Sequence, residues 1–215
     1  MPFLTLRIKK IKVIDNREPI GPGEVKLISF VTSEDDPLPN LDSFFAASTG
    51  QEKLEILQAA ASNVLSSKTL MRIDNIKDGQ EMIFGDTGYA LWTTHKPIDS
   101  FNWQMILIEC DEDVRQIGEF INGFLNDPEF DTFLLNIAKL AQFAANPSVT
   151  LSIAIGKFVL GKVAETLLDN KDDQLGIVYQ SFHRALDFPA GDRQAFGIPD
   201  ISDNLRIDYR IYTED

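Results

Sequence analysis

The residues of this 215-residue chain best suited to chemistry are carboxylates. The stretch Ile108-Glu109-Cys110-Asp111-Glu112-Asp113 closes an apolar run with acidic residues and meets no cation before Arg115. In an extended segment side chains two apart share a face, so Asp111 and Asp113 stand side by side and each raises the cost of charging the other. A second acidic stretch, Asp169-Asn170-Lys171-Asp172-Asp173, leads through Gln174-Leu175-Gly176 into another apolar run. Desolvating three carboxylates together is costly unless something positive answers them: a metal ion, a basic partner or simply water. Calcium takes roughly six to eight oxygen ligands at flexible distances and needs neither cysteine nor histidine. Asp111, Asp113 and Asp173 are therefore candidate calcium ligands, provided the fold brings the two stretches together. The plain alternative is that they are solvated turn residues, for which aspartate is equally suited.

Other chemistries lack their residues. His95 follows Thr93-Thr94 and His183 stands beside Arg184, and neither has a Cys, Asp or second His at zinc-ligand spacing. Cys110 lies between Glu109 and Asp111, which raise a thiol's pKa rather than activate it. No Gly-x-Ser-x-Gly, phosphate loop or Gly-x-Gly-x-x-Gly occurs. Trp92 and Trp103 read as core aromatics. The chain is not expected to be an enzyme.

Composition narrows the partners. Twenty Lys plus Arg against thirty-three Asp plus Glu give a net charge of -13, which excludes nucleic acid as a direct partner and repels anionic surfaces unless a cation intervenes. One cysteine permits no internal disulfide. The opening Met-Pro-Phe-Leu-Thr-Leu-Arg lacks the charged-then-apolar order of a signal peptide, so a cytoplasmic location, or export by a route needing no such signal, is expected.

The elements that must position the carboxylates are mostly strands. Leu4, Leu6 and Ile8, then Ile11 and Val13, alternate with polar residues across a phase slip at Lys9-Lys10 that suggests a bulge. A Gly/Pro loop precedes a strand over Glu24 to Val31, and strand character returns in TLMRID, EMIFGD, YALWTT, WQMILIEC, GIVYQSFHRAL and LRIDYRIYT. Helical spacing runs from about Gln51 to Ser66. It returns between Val114 and Asn170, broken by Asn146-Pro147. The expected fold is mainly β with helical insertions: one antiparallel eight-stranded β-sandwich over 1–215, a short helical insertion at 41–67 and a helical hairpin insertion at 114–170. A compact insertion returns the chain to where it left, which sets Asp173 beside Asp111 and Asp113. Val149 to Leu168 is very apolar, but its Lys157, Lys162 and Glu165 favour packing in a hairpin over membrane insertion.

With the helical block set aside, ILIECDED followed by KDDQLG resembles the third calcium loop of the C2 domain. There a strand ends in Asp-x-Asp, and Asp-x-hydrophobic-Gly opens the next. LTLRIKKIKVID with EVKLISFV is similar to that family's first two strands, and KPIDSFNW to its Pro-x-Trp strand entry. The resemblance implies an eight-stranded sandwich whose loops at one end bind Ca2+ and, through it, phospholipid or a protein, with Asp111, Asp113 and Asp173 as ligands. In the first loop, Gly21-Pro22-Gly23-Glu24 replaces the family's Ser-Asp-Pro-Tyr, and Asp15 or Glu18 stands in for the missing aspartate. The expected function is thus a non-enzymatic binding module that meets a membrane surface or protein partner through calcium. The alternative is a structural protein that forms a homo-oligomer, or binds a protein, through its helical insertion without calcium.

Overall fold

A computed structural model of the chain describes residues 3–18, 21–33, 41–109, 114–141, 143–144, 147–169 and 173–214. Among these residues, nine strands and six helices succeed one another as β1 (Phe3–Val13), β2 (Gly23–Ser33), α1 (Leu41–Ala46), α2 (Gly50–Ser66), β3 (Thr69–Ile76), β4 (Glu81–Ile83), β5 (Tyr89–Thr94), β6 (Ser100–Glu109), α3 (Val114–Gly123), α4 (Pro128–Ala141), α5 (Pro147–Asp169), β7 (Asp173–His183), α6 (Arg184–Asp187), β8 (Asp192–Pro199) and β9 (Leu205–Glu214). A 3₁₀ turn, Phe124–Asn126, joins α3 towards α4.

The strands form two antiparallel sheets. In the first the order is β4-β1-β9-β8 with β5 also on β1, and in the second it is β3-β2-β6-β7. β5 pairs with Leu4 to Ile8 and β4 with Lys10 to Lys12, so the two lie end to end along β1. Nine strands therefore fill eight positions, four in each sheet. The phase slip at Lys9 is a bulge against β9, after which Ile11 and Val13 point inward again. β8 is a strand that sequence patterning does not expect, because Arg193, Gln194, Gly197 and Pro199 mask it. Its irregularity between Ala195 and Ile198, with Gly197 at φ 60°, suits an edge strand.

Between the sheets lies a core that includes Leu6, Ile8, Leu27, Trp103, Leu107, Ile207 and Ile211. Trp103 donates its indole N–H to Ser29 Oγ at 3.0 Å, which satisfies its polar end within this core. The helices build a second core on the outer face of the β3-β2-β6-β7 sheet, where Ile28, Phe30, Ile106 and Ile108 meet Leu57, Phe130, Leu134, Ile155 and Val159. β2 and β6 are consequently buried on both faces, which is why they read as nearly continuous apolar runs rather than alternating ones. Each fully buried Leu, Ile or Phe on them contributes roughly 1.5–3 kcal/mol. α2 begins with a capping box, in which Thr49 Oγ1 accepts from Glu52 N–H and the Glu52 carboxylate accepts from Thr49 N–H.

The two helical segments thus form one layer over one sheet. α5 approaches that sheet closely at Gly156, where a Cβ would overlap the Gln104 Oε1 atom, and Gln104 donates through Nε2 to Ile153 O at 3.0 Å. Among the described residues no helix is long and apolar enough to cross a membrane.

Candidate functional site

β6 and β7 stay paired to their ends, from Ser100 opposite His183 to Glu109 opposite Asp173. The chain leaves the sheet after Glu109 and re-enters it at Asp173, so the helical block departs from and returns to adjacent strands at one end of the sandwich. Asp111 and Asp113 lie outside the described residues, and of Asp173 only the backbone is described.

The β1–β2 loop reaches the same end. It is shaped by Asn16, which is 2% exposed and donates through Nδ2 to Ile76 O at 2.8 Å, while its own N–H donates to Asp78 Oδ1 at 2.8 Å. Asp15 is exposed, and its Oδ1 accepts from the N–H of Arg17 at 2.8 Å, a turn brace that lets Arg17 hold φ 60°. Glu18 lies deeper. A Cβ on Gly23 would sit 3.1 Å from Glu18 Cγ and 3.2 Å from Glu109 Cγ, so the two acidic stems converge on the one residue that leaves them room.

Glu18 and Glu109 form one wall of an open cleft of about 420 Å³ whose other side carries Glu24, Arg72 and Asp74. Arg72 bridges Glu24 Oε2 and Asp74 Oδ1, each at 2.6 Å. Lys26, 1% exposed, pairs with the other Glu24 oxygen. A buried ammonium demands such a partner, whereas the exposed Arg72–Asp74 pair is worth about 1 kcal/mol or less. Lys26 and Arg72 therefore answer Glu24, and Arg72 also answers Asp74. Among the described residues no three Asp, Glu, His or Cys are placed to hold a metal ion. Any complete cation site at this end needs ligands from the acidic stretches that follow Glu109 and precede Asp173.

The β8–β9 turn closes the same end. Asp200, 7% exposed, accepts from the N–H groups of Leu205, Ser202 and Ile177 at 2.8, 2.9 and 3.2 Å and from the Ser202 hydroxyl. Burial alone would raise its pKa. The Ser202 hydroxyl, then the Leu205, Ser202 and Ile177 amides, outweigh that and hold it below the ordinary aspartate value of 3.8. Asn204 donates to both Asp15 O and Leu175 O at 2.9 Å, tying the first loop to β7. In sequence Asp200 stands only as one of five tail aspartates, with Asp187, Asp192, Asp203 and Asp208, that read as turn residues and as candidates to join the acidic end, and Lys26 as a lone cation inside the apolar run Val25 to Ile28. Arg72 and Asn204 leave no such trace.

No family model matches the chain, and no curated protein matches it. Among solved structures, human GIVD cytosolic phospholipase A2 in complex with methyl gamma-linolenyl fluorophosphonate is similar at 6% identity and a TM-score of 0.37. The match covers 100% of this chain and 17% of that one.

Proposed function

We propose that the chain is a non-enzymatic, C2-like binding module that takes calcium at the acidic end of its sandwich and meets a protein or membrane surface through it in the cytoplasm. One observation carries the reading: β6 and β7 pair through Glu109 and Asp173, so the two acidic stretches leave adjacent strands beside the Glu18–Glu109 wall. In this reading Asp111, Asp113 and Asp173 supply most of the ligands and Glu18 completes them from the first loop, while Asp15 is engaged as a turn brace. The bound ion converts a repulsive edge into an attractive one and keeps open positions for a phosphate or carboxylate of the partner.

A ligand that binds the folded state alone raises its stability by about 2.7 kcal/mol at a hundredfold excess over Kd. For a chain of this size that is a rise of roughly 5–11 °C in melting temperature. Wild type melts higher in calcium and Asp111→Asn/Asp113→Asn does not. An unchanged wild-type melting temperature at millimolar calcium sinks the reading.

A second reading is favoured by a separate observation. Leu140 and Phe143, at the α4–α5 connection, are 66% and 83% exposed. They suit a contact made by the helical layer without calcium, with a second copy or another protein. Leu140→Ser/Phe143→Ser then abolishes concentration-dependent association in sedimentation velocity, and a wild-type protein monomeric at every concentration argues against self-assembly.

A further inference from the structure

The outer face of the β4-β1-β9-β8 sheet carries a charge pattern at odds with the rest of the chain. Six of the twenty Lys and Arg lie on β1 and β9: Arg7, Lys9, Lys10, Lys12, Arg206 and Arg210. Two cross-strand pairs join like charges, Arg7 opposite Arg210 and Lys12 opposite Arg206. Like charges directly opposite destabilise a sheet, and a chain with thirty-three acidic residues had alternatives at these positions.

Between the two cationic rungs lies a rung of mixed charge. Lys10 pairs across to Asp208 on β9 and to Ile83 on β4, and its ammonium stands 3.4 Å from both the Asp208 and Glu81 carboxylates. This centre, one ammonium between two carboxylates, floors a groove of about 300 Å³ lined by Ile83 and Phe196 together with Lys9, Asp86 and Gln194. Ile83 and Phe196 are 72% and 71% exposed, an unusual setting for large apolar side chains on one face. Arg206 and Arg210 also meet Asp203 and Asp192 at 2.8 and 2.9 Å, but in pairs open to solvent, which an incoming anion can exchange.

The order along the strands is therefore cation pair, groove, cation pair. Arg206 and Arg210 are four residues apart on β9, roughly 13 Å at the rise of an extended strand. We infer that this face binds an extended peptide segment of a protein partner with the pattern acidic-x-apolar-x-acidic. Its first and fifth residues have the same spacing as the two cation rungs, and its third residue enters the groove between Ile83 and Phe196. The net charge of -13 slows approach, yet at physiological salt the screening length is about 8 Å, so the local rungs decide the bound state. This surface is distinct from the acidic end and needs no metal ion.

The test is fluorescence anisotropy of a labelled, end-blocked peptide Thr-Glu-Thr-Leu-Thr-Glu-Thr titrated with the full chain in a chelator. Binding saturates with wild type, weakens about tenfold or more in Lys12→Glu/Arg206→Glu, and loosens at higher salt. Phe196→Ser weakens it without altering charge, whereas Leu186→Ser, an exposed apolar change off this face, leaves it unchanged. Failure to saturate overturns the inference, as does equal affinity for peptides carrying Ser for Leu or Gln for Glu. Phosphatidylserine vesicles that bind through Lys12 and Arg206 while the peptide does not also overturn it.

Discussion

Replacing Asp200 with asparagine isolates what organises the acidic end, because the two side chains have one shape. Oδ1 still accepts from Leu205, but the atom that replaces Oδ2 is an NH2 group aimed at the amides of Ile177 and Ser202 and at the Ser202 hydroxyl. Two backbone donors in a site 7% exposed then face another donor. A hydrogen bond to a charged acceptor is worth about 1.5–3 kcal/mol, and a buried group left unsatisfied costs about 1–3 kcal/mol. Some of this is recovered as the turn relaxes or water enters, which leaves roughly 3–5 kcal/mol. Urea denaturation at neutral pH reads this as a lower midpoint with an unchanged slope. The same residue fixes a pH signature. Its pKa lies below the unfolded value of 3.8, so its contribution is complete above that value and fades as pH falls through the folded one. The gap between wild type and Asp200→Asn therefore narrows in acid. A gap below about 1 kcal/mol, or one that ignores pH, refutes the assignment of Asp200 as the brace.

Gly156→Ala forces Gln104 out of its bond to Ile153 O and overpacks the helix–sheet contact, costing about 2–4 kcal/mol in chemical denaturation, and Gln104→Ala in the same background recovers part of that. Thr49→Ala removes the α2 cap and lowers stability by about 1 kcal/mol, whereas Thr49→Ser retains most of it. Lys26→Met leaves Glu24 with Arg72, a partner half exposed to solvent, and replaces a buried ammonium by a thioether of similar length. Thermal melts show a change under about 1.5 kcal/mol, while Lys26→Ala, which opens a cavity as well, costs more.

How far the sequence exposes this architecture depends on whether a signal is local. The bulge at Lys9-Lys10 is legible because the inward phase of Leu4, Leu6 and Ile8 breaks and resumes at Ile11. The pairing of β6 with β7 is legible because a compact helical insertion must return the chain to the strand it left. β8 is not, since an edge strand bears little burial pressure and tolerates Gly197 and Pro199. The placement of the helical layer is not legible either. Apolar spacing on α5 says which face is buried but not against what, and the apolar character of Phe30 and Ile106 is equally consistent with an ordinary sandwich core. At the acidic end, the carboxylates advertise themselves, whereas the Arg72–Glu24 bridge and the Asn16 and Asn204 ties join segments far apart in the chain. Glu109 stands out in sequence only as part of the acidic stretch. Its convergence with Glu18 on Gly23 is a property of the folded loop.

Calorimetric titration of the intact chain with calcium, in wild type and in Asp111→Asn/Asp113→Asn, tests calcium binding at the acidic end most directly. Saturable binding in wild type, lost in the double variant and weakened by Glu18→Gln, is the predicted result. The absence of heat and of saturation at millimolar calcium, or saturation that survives in Asp111→Asn/Asp113→Asn, contradicts it.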